Sequence, residues 1–148
     1  LHSDGAHVKE LWVEAPSSGV IPRLNQEILD EGRHFLQMNG REVFRHAITR
    51  FPQVIMEGLD ANGLTIEDIN LLVPHQANIR IAQMIQKRLK LRDDQLYSNI
   101  HKYGNTTAAS IPIALCEAMD EGRVKKGDLI VFAAFGSGFT WASAIIKW

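Results

Sequence analysis

The sequence predicts an α/β fold: a mixed, mostly parallel sheet with helices on both faces and its last two strands antiparallel. Three observations support this fold class. Helical stripes alternate with short apolar runs between residues 41 and 128, which is typical of α/β proteins. Residues 128–135 form a run that is continuously apolar from Leu129 onward, the pattern of a strand covered on both faces. The tripeptide 136–138 separates this run from the apolar segment 139–148, so the two strands should be antiparallel neighbours.

Little periodic pattern is present in residues 1–40. The segment 1–5 is predicted to be the end of a strand, and 8–15 a short strand or hairpin arm. Residues 17–40 contain Pro22, Gly32 and Gly40 and are predicted to be irregular, with room for one short helix. Leu1 is not an initiator residue, and the sequence contains no signal-peptide pattern that would explain a processed start. We therefore expect a C-terminal piece of a longer protein, with 1–40 as a strand remnant and lead-in and 41–148 as the main α/β body.

The main body begins with a helical apolar stripe over residues 41–62, which the Asn-Gly pair at 62–63 ends. Pro52 lies inside this stripe and predicts a kink or a break between two helices, because proline has no amide hydrogen to donate. The elements predicted to follow are a strand at 70–74, a helix at 77–90, a strand at 96–100 and a helix at 107–121.

Composition excludes several classes of protein. The 148 residues are 45% hydrophobic and 22% charged, with a net charge of −1, so nothing favours nucleic acid or an anionic membrane as a partner. No apolar run approaches the roughly 20 residues of a membrane span. The single cysteine, Cys116, excludes an internal disulfide and is predicted to be a buried structural thiol in a cytoplasmic, reducing setting. The histidines show no ligand spacing, so no metal site is predicted.

Two polar turns follow short apolar runs and carry the candidate chemistry. His75 directly follows the strand predicted at 70–74, and Asn105 follows the strand predicted at 96–100. Ligands collect at the carboxyl edge of open α/β sheets, and two strand ends can bring a histidine and an asparagine over one carbonyl oxygen. Acyl chemistry needs such donors. A strand-end histidine and a turn asparagine can also be purely structural.

Three ordered strings resemble a known family: VPHQANIRI at 73–81, YGNTTAASIP at 103–112 and FGSGFTWASA at 135–144. Together with LHSDG at 1–5 and NGREVFRHAI at 39–48, they resemble the C-terminal half of the 3-oxoacyl-[acyl-carrier-protein] synthase III family, condensing enzymes of thiolase-like fold. The resemblance implies decarboxylative condensation of an acyl-coenzyme A with malonyl-acyl carrier protein, with no cofactor.

The resemblance also implies roles for individual residues. His75 and Asn105 match the catalytic histidine and asparagine, whereas the family's nucleophilic cysteine lies in an N-terminal half that is absent here. The backbone of Ser137 matches an oxyanion donor, although the turn at 136–138 also suits a plain hairpin. Residues matched to coenzyme A or pantetheine binding are Asn78, which could equally begin any helix, and Arg80. Residues matched to the acidic carrier protein are Arg45, Arg80, Lys87 and Arg88, for which an ordinary solvated helix face is the alternative.

Other interpretations remain open. A related Cys-His-Asn condensing enzyme of secondary metabolism shares the histidine and asparagine, and a non-catalytic carrier-binding module would keep only the basic face. The family implies that the full-length enzyme is a homodimer. We also expect the segment 1–5 to be the tail of a central strand, whose loss leaves two unpaired edges. The chain should then be inactive alone and stable only beside its missing half.

Overall fold

A four-stranded sheet and a separate two-stranded sheet form the framework of this computed structural model, which describes residues 1–19 and 21–148. Val20, in the segment predicted to be irregular, lies outside the described residues. The elements are β1 (His2–Ser3), β2 (Leu11–Val13), α1 (Gln26–Asp30), β3 (Leu36–Met38), α2 (Gly40–Ala61), β4 (Leu71–Pro74), α3 (Ile79–Leu89), α4 (Ile100–Tyr103), α5 (Ser110–Asp120), β5 (Leu129–Gly136) and β6 (Thr140–Lys147).

The larger sheet has the strand order β1-β6-β5-β4 and is mixed, as predicted. The last two strands, β5 and β6, are antiparallel, which confirms the hairpin expected from the short connection. The expectation of a mostly parallel sheet is wrong, because only β4 and β5 run parallel, while β1 pairs antiparallel with β6. A tight turn forces β6 to reverse, and β1 then pairs with that reversed strand.

Strand β1 lies at the edge of the sheet and not at its centre. His2 and Ser3 pair with Trp141 and Thr140 of β6, and β1 has no second neighbour among the described residues. The expectation of a missing central strand flanked by two unpaired edges is therefore wrong.

Helices cover both faces of the sheet, as predicted. Helices α2 and α3 share one core cluster with the sheet, including Phe51, Ile85 and Phe139. Helix α5 covers the other face through Ala114 and Ala118. The approach of α2 to β6 is close, because a Cβ on Gly58 would lie 3.0 Å from the Ser143 Oγ atom.

The proline in α2 does not divide it. The helix runs continuously from Gly40 to Ala61 with Pro52 inside it, so the predicted break does not occur. Pro52 cannot donate to the carbonyl of Ile48 four residues earlier. The guanidinium of Arg88 on α3 donates to that oxygen instead, at 2.6 Å. The carbonyl is satisfied by a side chain of the neighbouring helix.

The prediction of a strand at 96–100 is wrong. Leu96 makes one isolated parallel bridge to Leu72, and the chain then enters α4 at Ile100. The reason is that the next polar groups bond to a side chain and not to a strand. The backbone amide of Asn99 donates to the Gln76 side-chain oxygen at 3.2 Å, and the Ser98 hydroxyl donates to the same atom at 2.8 Å.

Two further findings concern the N-terminal region and the cysteine. The strand predicted at 8–15 is confirmed only over Leu11–Val13 (β2), because Gly5–Glu10 form a 3₁₀ helix. Strand β2 pairs with β3, which the sequence did not predict, while α1 is the predicted short helix. Cys116 lies in α5 as predicted, but it is exposed, so the expectation of a buried thiol is wrong. Within the described ranges, no helix is both long and apolar enough to cross a membrane.

Candidate functional site

A cavity of about 570 Å³ opens beyond the carboxyl ends of β4 and β5, the two parallel strands of the sheet. His75 and Asn105 both line it, as does Ser137, so the structure brings these three predicted residues to one cavity. Apolar side chains, among them Leu11 and Leu36, form much of the remaining wall. Polar donors set in an apolar wall interact strongly with a charge that develops inside the cavity, because water screens them poorly.

Backbone and side-chain bonds both position His75. Its amide donates to the carbonyl of Ala133 at 2.8 Å, which extends the β4–β5 ladder by one residue. Its Nδ1 atom lies 2.6 Å from the hydroxyl of Ser110, the first residue of α5. The amide of Gln76 also donates to that hydroxyl, at 3.2 Å. One serine therefore anchors both the imidazole and the backbone behind it.

These contacts favour one tautomer of His75. A hydroxyl has one hydrogen to donate, and the Gln76 amide can only donate, so the Ser110 oxygen accepts from it. In the part of the chain that the structure describes, the one acceptor for the Ser110 hydrogen is His75 Nδ1. In the neutral imidazole the proton then resides on Nε2, which makes that nitrogen a hydrogen-bond donor.

Burial also favours the neutral imidazole. The pKa of His75 lies below its usual value because desolvation penalises the charged ring. No acidic group is among the causes of this shift. His75 at neutral pH is consequently an uncharged donor, suited to stabilising negative charge without transferring a proton.

Asn105 lies in the loop between α4 and the 3₁₀ turn Thr107–Ala109, and it therefore follows a short helix and not the predicted strand. Its Oδ1 atom accepts a hydrogen bond from the backbone amide of Thr107 at 2.9 Å. Because that amide can only donate, the oxygen must face it. The Nδ2 amide group of Asn105 is then left as the donor of the side chain.

Ser137 occupies the turn between β5 and β6. Its carbonyl accepts from the Thr140 hydroxyl at 2.9 Å. The neighbouring Gly138 has φ +132°, and a Cβ there would lie 2.8 Å from the Thr140 Cγ2 atom. Only glycine fits that position, so the turn holds the Ser137 backbone in a specific conformation at the cavity wall.

The residues matched to substrate and carrier binding lie outside the cavity lining. Asn78 is the N-cap of α3, where its side chain accepts from the Arg80 amide at 2.9 Å. Arg80 and Lys87 are exposed on α3. Arg88 bonds to the Ile48 carbonyl, and Arg45 is paired with Glu42, which lowers the pKa of that carboxyl.

Two residues that sequence reasoning did not assign belong to this site: Ser110, which orients His75, and Gln76, which is buried beside it. Both fall inside the conspicuous strings, but a serine at a helix start usually indicates a cap. Only the folded chain places Ser110 beside a residue 35 positions away. No group of three or more metal-ligating side chains occurs among residues 1–19 and 21–148.

Comparison with known proteins gives consistent matches. A profile of the family described as 3-oxoacyl-[acyl-carrier-protein (ACP)] synthase III C terminal matches residues 59–148. The beta-ketoacyl-[acyl-carrier-protein] synthase III of Roseiflexus castenholzii is 48% identical over 148 residues, which are 100% of this chain and 44% of that protein.

Solved structures match as well. The crystal structure of beta-ketoacyl-[acyl carrier protein] synthase III from Thermus thermophilus has 40% identity and a TM-score of 0.87, over 99% of this chain and 44% of that one. The priming beta-ketosynthase of the R1128 polyketide biosynthetic pathway has 30% identity and a TM-score of 0.83, over 98% and 42%.

The mixed sheet with helices on both faces, matched to the Thermus structure over 99% of this chain, identifies a thiolase-like condensing-enzyme fold. More specifically, the chain belongs to the 3-oxoacyl-[acyl-carrier-protein] synthase III C-terminal family, whose profile covers more than half of it. It spans 44% of the length of the Roseiflexus and Thermus proteins.

Proposed function

We propose that this chain forms the decarboxylation side of a condensing enzyme that initiates fatty-acid synthesis. The enzyme would join an acyl-coenzyme A starter to malonyl-acyl carrier protein. The observation that carries the proposal is that His75 and Asn105 line one cavity, each with its other polar atom held by a separate hydrogen bond. Both residues also stand at the positions matched to the family's histidine and asparagine.

The chemistry follows from these donors. When the malonyl thioester loses carbon dioxide, the bond between the carboxylate carbon and the methylene carbon breaks. The electron pair moves into an enolate whose charge resides on the thioester oxygen. The Nε2 hydrogen of His75 and the Nδ2 hydrogen of Asn105 would donate to that oxygen. The methylene carbon then attacks the acyl thioester, which is carried by a cysteine outside this chain, and the cysteine sulfur leaves.

The binding roles are part of the same proposal. The Ser137 backbone would donate to the oxyanion formed in acyl transfer, and Asn78 and Arg80 would contact coenzyme A or pantetheine. Arg80, Lys87, Arg88 and Arg45 would meet the acidic carrier protein. The supporting observation is that the basic groups of α3 are exposed beside α2. We expect a cytoplasmic homodimer completed by an N-terminal half.

Alanine substitution tests the catalytic roles. The assay uses the protein as its native gene encodes it, here called the naturally expressed protein. In it, His75→Ala and Asn105→Ala should each slow release of carbon dioxide from malonyl-carrier protein by roughly 10²–10³-fold, because each removes one oxyanion donor. His101→Ala, an exposed histidine outside the cavity lining, serves as the matched control. Wild-type release by both cavity variants would reject the proposal and favour a non-catalytic carrier-binding module.

A priming ketosynthase of secondary metabolism is the second candidate. The R1128 enzyme supports it, since its TM-score of 0.83 approaches the 0.87 of the Thermus enzyme. The two candidates share the proposed decarboxylation and differ in the starter they accept. Comparing kcat/KM for acetyl-coenzyme A with that for longer acyl-coenzyme A substrates separates them.

A further inference from the structure

A buried hydrogen-bond network connects the turn that carries His75 with the helix that precedes Asn105. It starts at Gln76, whose side chain is 3% exposed. The Gln76 Nε2 atom donates to the Pro74 carbonyl at 2.7 Å, which fixes the orientation of the amide. The Oε1 atom then accepts from the Ser98 hydroxyl and from the Asn99 backbone amide. The residue next to His75 thus holds the chain immediately before α4.

The same helix is attached at both ends to one carboxylate. Glu117 of α5 accepts from the side chain of Asn99 at 2.8 Å, just before α4 begins. It also accepts from the Lys102 ammonium at 2.6 Å and the Tyr103 hydroxyl at 3.3 Å, at the end of α4. Gly104 follows, with its amide bonded to the Ile100 carbonyl, and Asn105 is the next residue. Three donors around a four-residue helix therefore converge on Glu117.

The ionisation state of Glu117 allows it to accept all three hydrogen bonds at neutral pH. Its hydrogen bonds with Lys102 and Asn99 lower the pKa of Glu117, so the group is an ionised, acceptor-only carboxylate at neutral pH. The side chain of Glu117 is 19% exposed and that of Asn99 is buried, which limits competition from water. A helix of four residues has little stability of its own, so its orientation depends on such external bonds.

We propose that Glu117 is a positioning residue, which acts with Gln76 to hold α4, and through it Asn105, at a fixed distance from His75. The inference rests on the proposed function, in which His75 and Asn105 donate to one oxygen. Neither Glu117 nor Gln76 is among the residues that line the cavity. Their effect on catalysis is therefore indirect: they set the separation of two donors on different segments, and a displacement of about 1 Å is enough to reduce a rate by about 10²-fold.

The test compares variants of Glu117 in the naturally expressed protein. Glu117→Ala should lower kcat for malonyl-carrier decarboxylation by about 10–10²-fold, with KM within about twofold, because orientation and not binding is lost. Glu117→Gln keeps an acceptor for Asn99 and should recover part of the rate. Asp120→Asn removes an exposed carboxylate from the same helix and should match the wild type.

A double-mutant cycle separates positioning from general damage. If Glu117 acts through Asn105, then Glu117→Ala should have little further effect in an Asn105→Ala background, within about twofold. Fully additive losses would overturn the inference. A wild-type rate for Glu117→Ala, with a reduced rate for Asn105→Ala, would also overturn it while leaving the proposed function intact. An Asn105→Ala variant with the wild-type rate would instead reject the proposed function.

A surface variant covers the case in which Glu117→Ala does not fold. Lys102→Met combined with Tyr103→Phe removes two of the three donors to Glu117, and both side chains are exposed. A reduced kcat with an unchanged KM supports the inference. A wild-type kcat in this folded double variant contradicts it.

Discussion

The hydroxyl of Ser110 and the burial of the ring act together on His75. The hydroxyl favours the tautomer with its proton on Nε2, and desolvation lowers the pKa of the ring, so both effects favour a neutral donor. A protonated imidazole would carry a charge that the apolar wall cannot solvate. The same burial links the stability of the protein to pH, because only the folded state suppresses protonation at this position.

The pH dependence of stability has a definite sign. Between the lowered pKa of folded His75 and the usual value near 6.5, the unfolded chain binds more protons than the folded one. The free energy of unfolding therefore falls as the pH drops below about 6.5, and it levels off below the folded pKa. His75→Gln should lose less stability than the wild type when urea unfolding is compared at about pH 7.5 and about pH 5. Equal losses in the two proteins would contradict this account.

At the scale of elements, α2 and α3 depend on each other through one side chain. Pro52 leaves the Ile48 carbonyl without its helical donor, and Arg88 of α3 supplies the missing hydrogen bond. The basic face of α3 thus has mixed roles. Arg80 and Lys87 are exposed, with no salt bridge to another described residue, whereas the exposed Arg88 also donates a hydrogen bond to α2.

Arg88→Ala should lower the free energy of unfolding by about 1 kcal/mol, because the Ile48 carbonyl loses its donor. In a Pro52→Ala background, the new amide at position 52 can donate to Ile48. The cost of Arg88→Ala should then shrink, a coupling that denaturant titration of the four proteins measures. Lys87→Ala, at the neighbouring exposed position, should change stability little. Equal costs in both backgrounds would mean that the proline is not the reason for the contact.

The exposed cations of α3 are the appropriate test of carrier binding. Arg80→Glu or Lys87→Glu should weaken association with the acidic carrier protein, and the loss should diminish as salt is added, because charges at a rim mainly affect encounter. Decarboxylation of small malonyl thioesters should change little for Lys87→Glu. Lys126→Glu makes the same charge change in the turn after α5 and serves as the control. Unchanged carrier affinity in both α3 variants would reject the docking proposal.

At the scale of the whole molecule, the described residues that line the cavity include hydrogen-bond donors but no cysteine. Cys116, the only cysteine in the sequence, lies on the exposed side of α5 and is absent from the cavity lining. The thiol that carries the acyl group in the proposed reaction must therefore come from outside these residues.

Replacing the cysteine tests this arrangement. Cys116→Ser in the naturally expressed protein should retain wild-type condensation, because the thiol is exposed away from the cavity. The 148-residue chain alone should show no acyl transfer from acyl-coenzyme A in a radiolabel assay. Acyl-enzyme formation by the chain alone that disappears in Cys116→Ser would show that Cys116 is the nucleophile and would overturn the proposed division of roles.

Local patterns in the sequence determined much of the architecture. The 3.6-residue periodicity predicted α2, α3 and α5, the continuous apolar run predicted β5, and the short connection predicted its antiparallel pairing with β6. These features depend on neighbours within a few residues, so the sequence carries them directly. The order of strands and turns also predicted His75 at the end of β4. Its shared cavity with Asn105 was expected from a strand at 96–100 that does not form and from the family resemblance, and only the resemblance remains as a basis.

Only the tertiary structure decided features that depend on partners distant in the sequence. The segment at 96–100 is not a strand because its polar groups donate to the Gln76 side chain. Helix α2 continues through Pro52, where Arg88 donates to the carbonyl of Ile48. Strand β1 lies at the sheet edge because β6 reverses next to it. The donor nitrogen of His75 depends on Ser110, 35 residues away. Each outcome results from a hydrogen bond that forms only when the chain is folded, so no local pattern could reveal it.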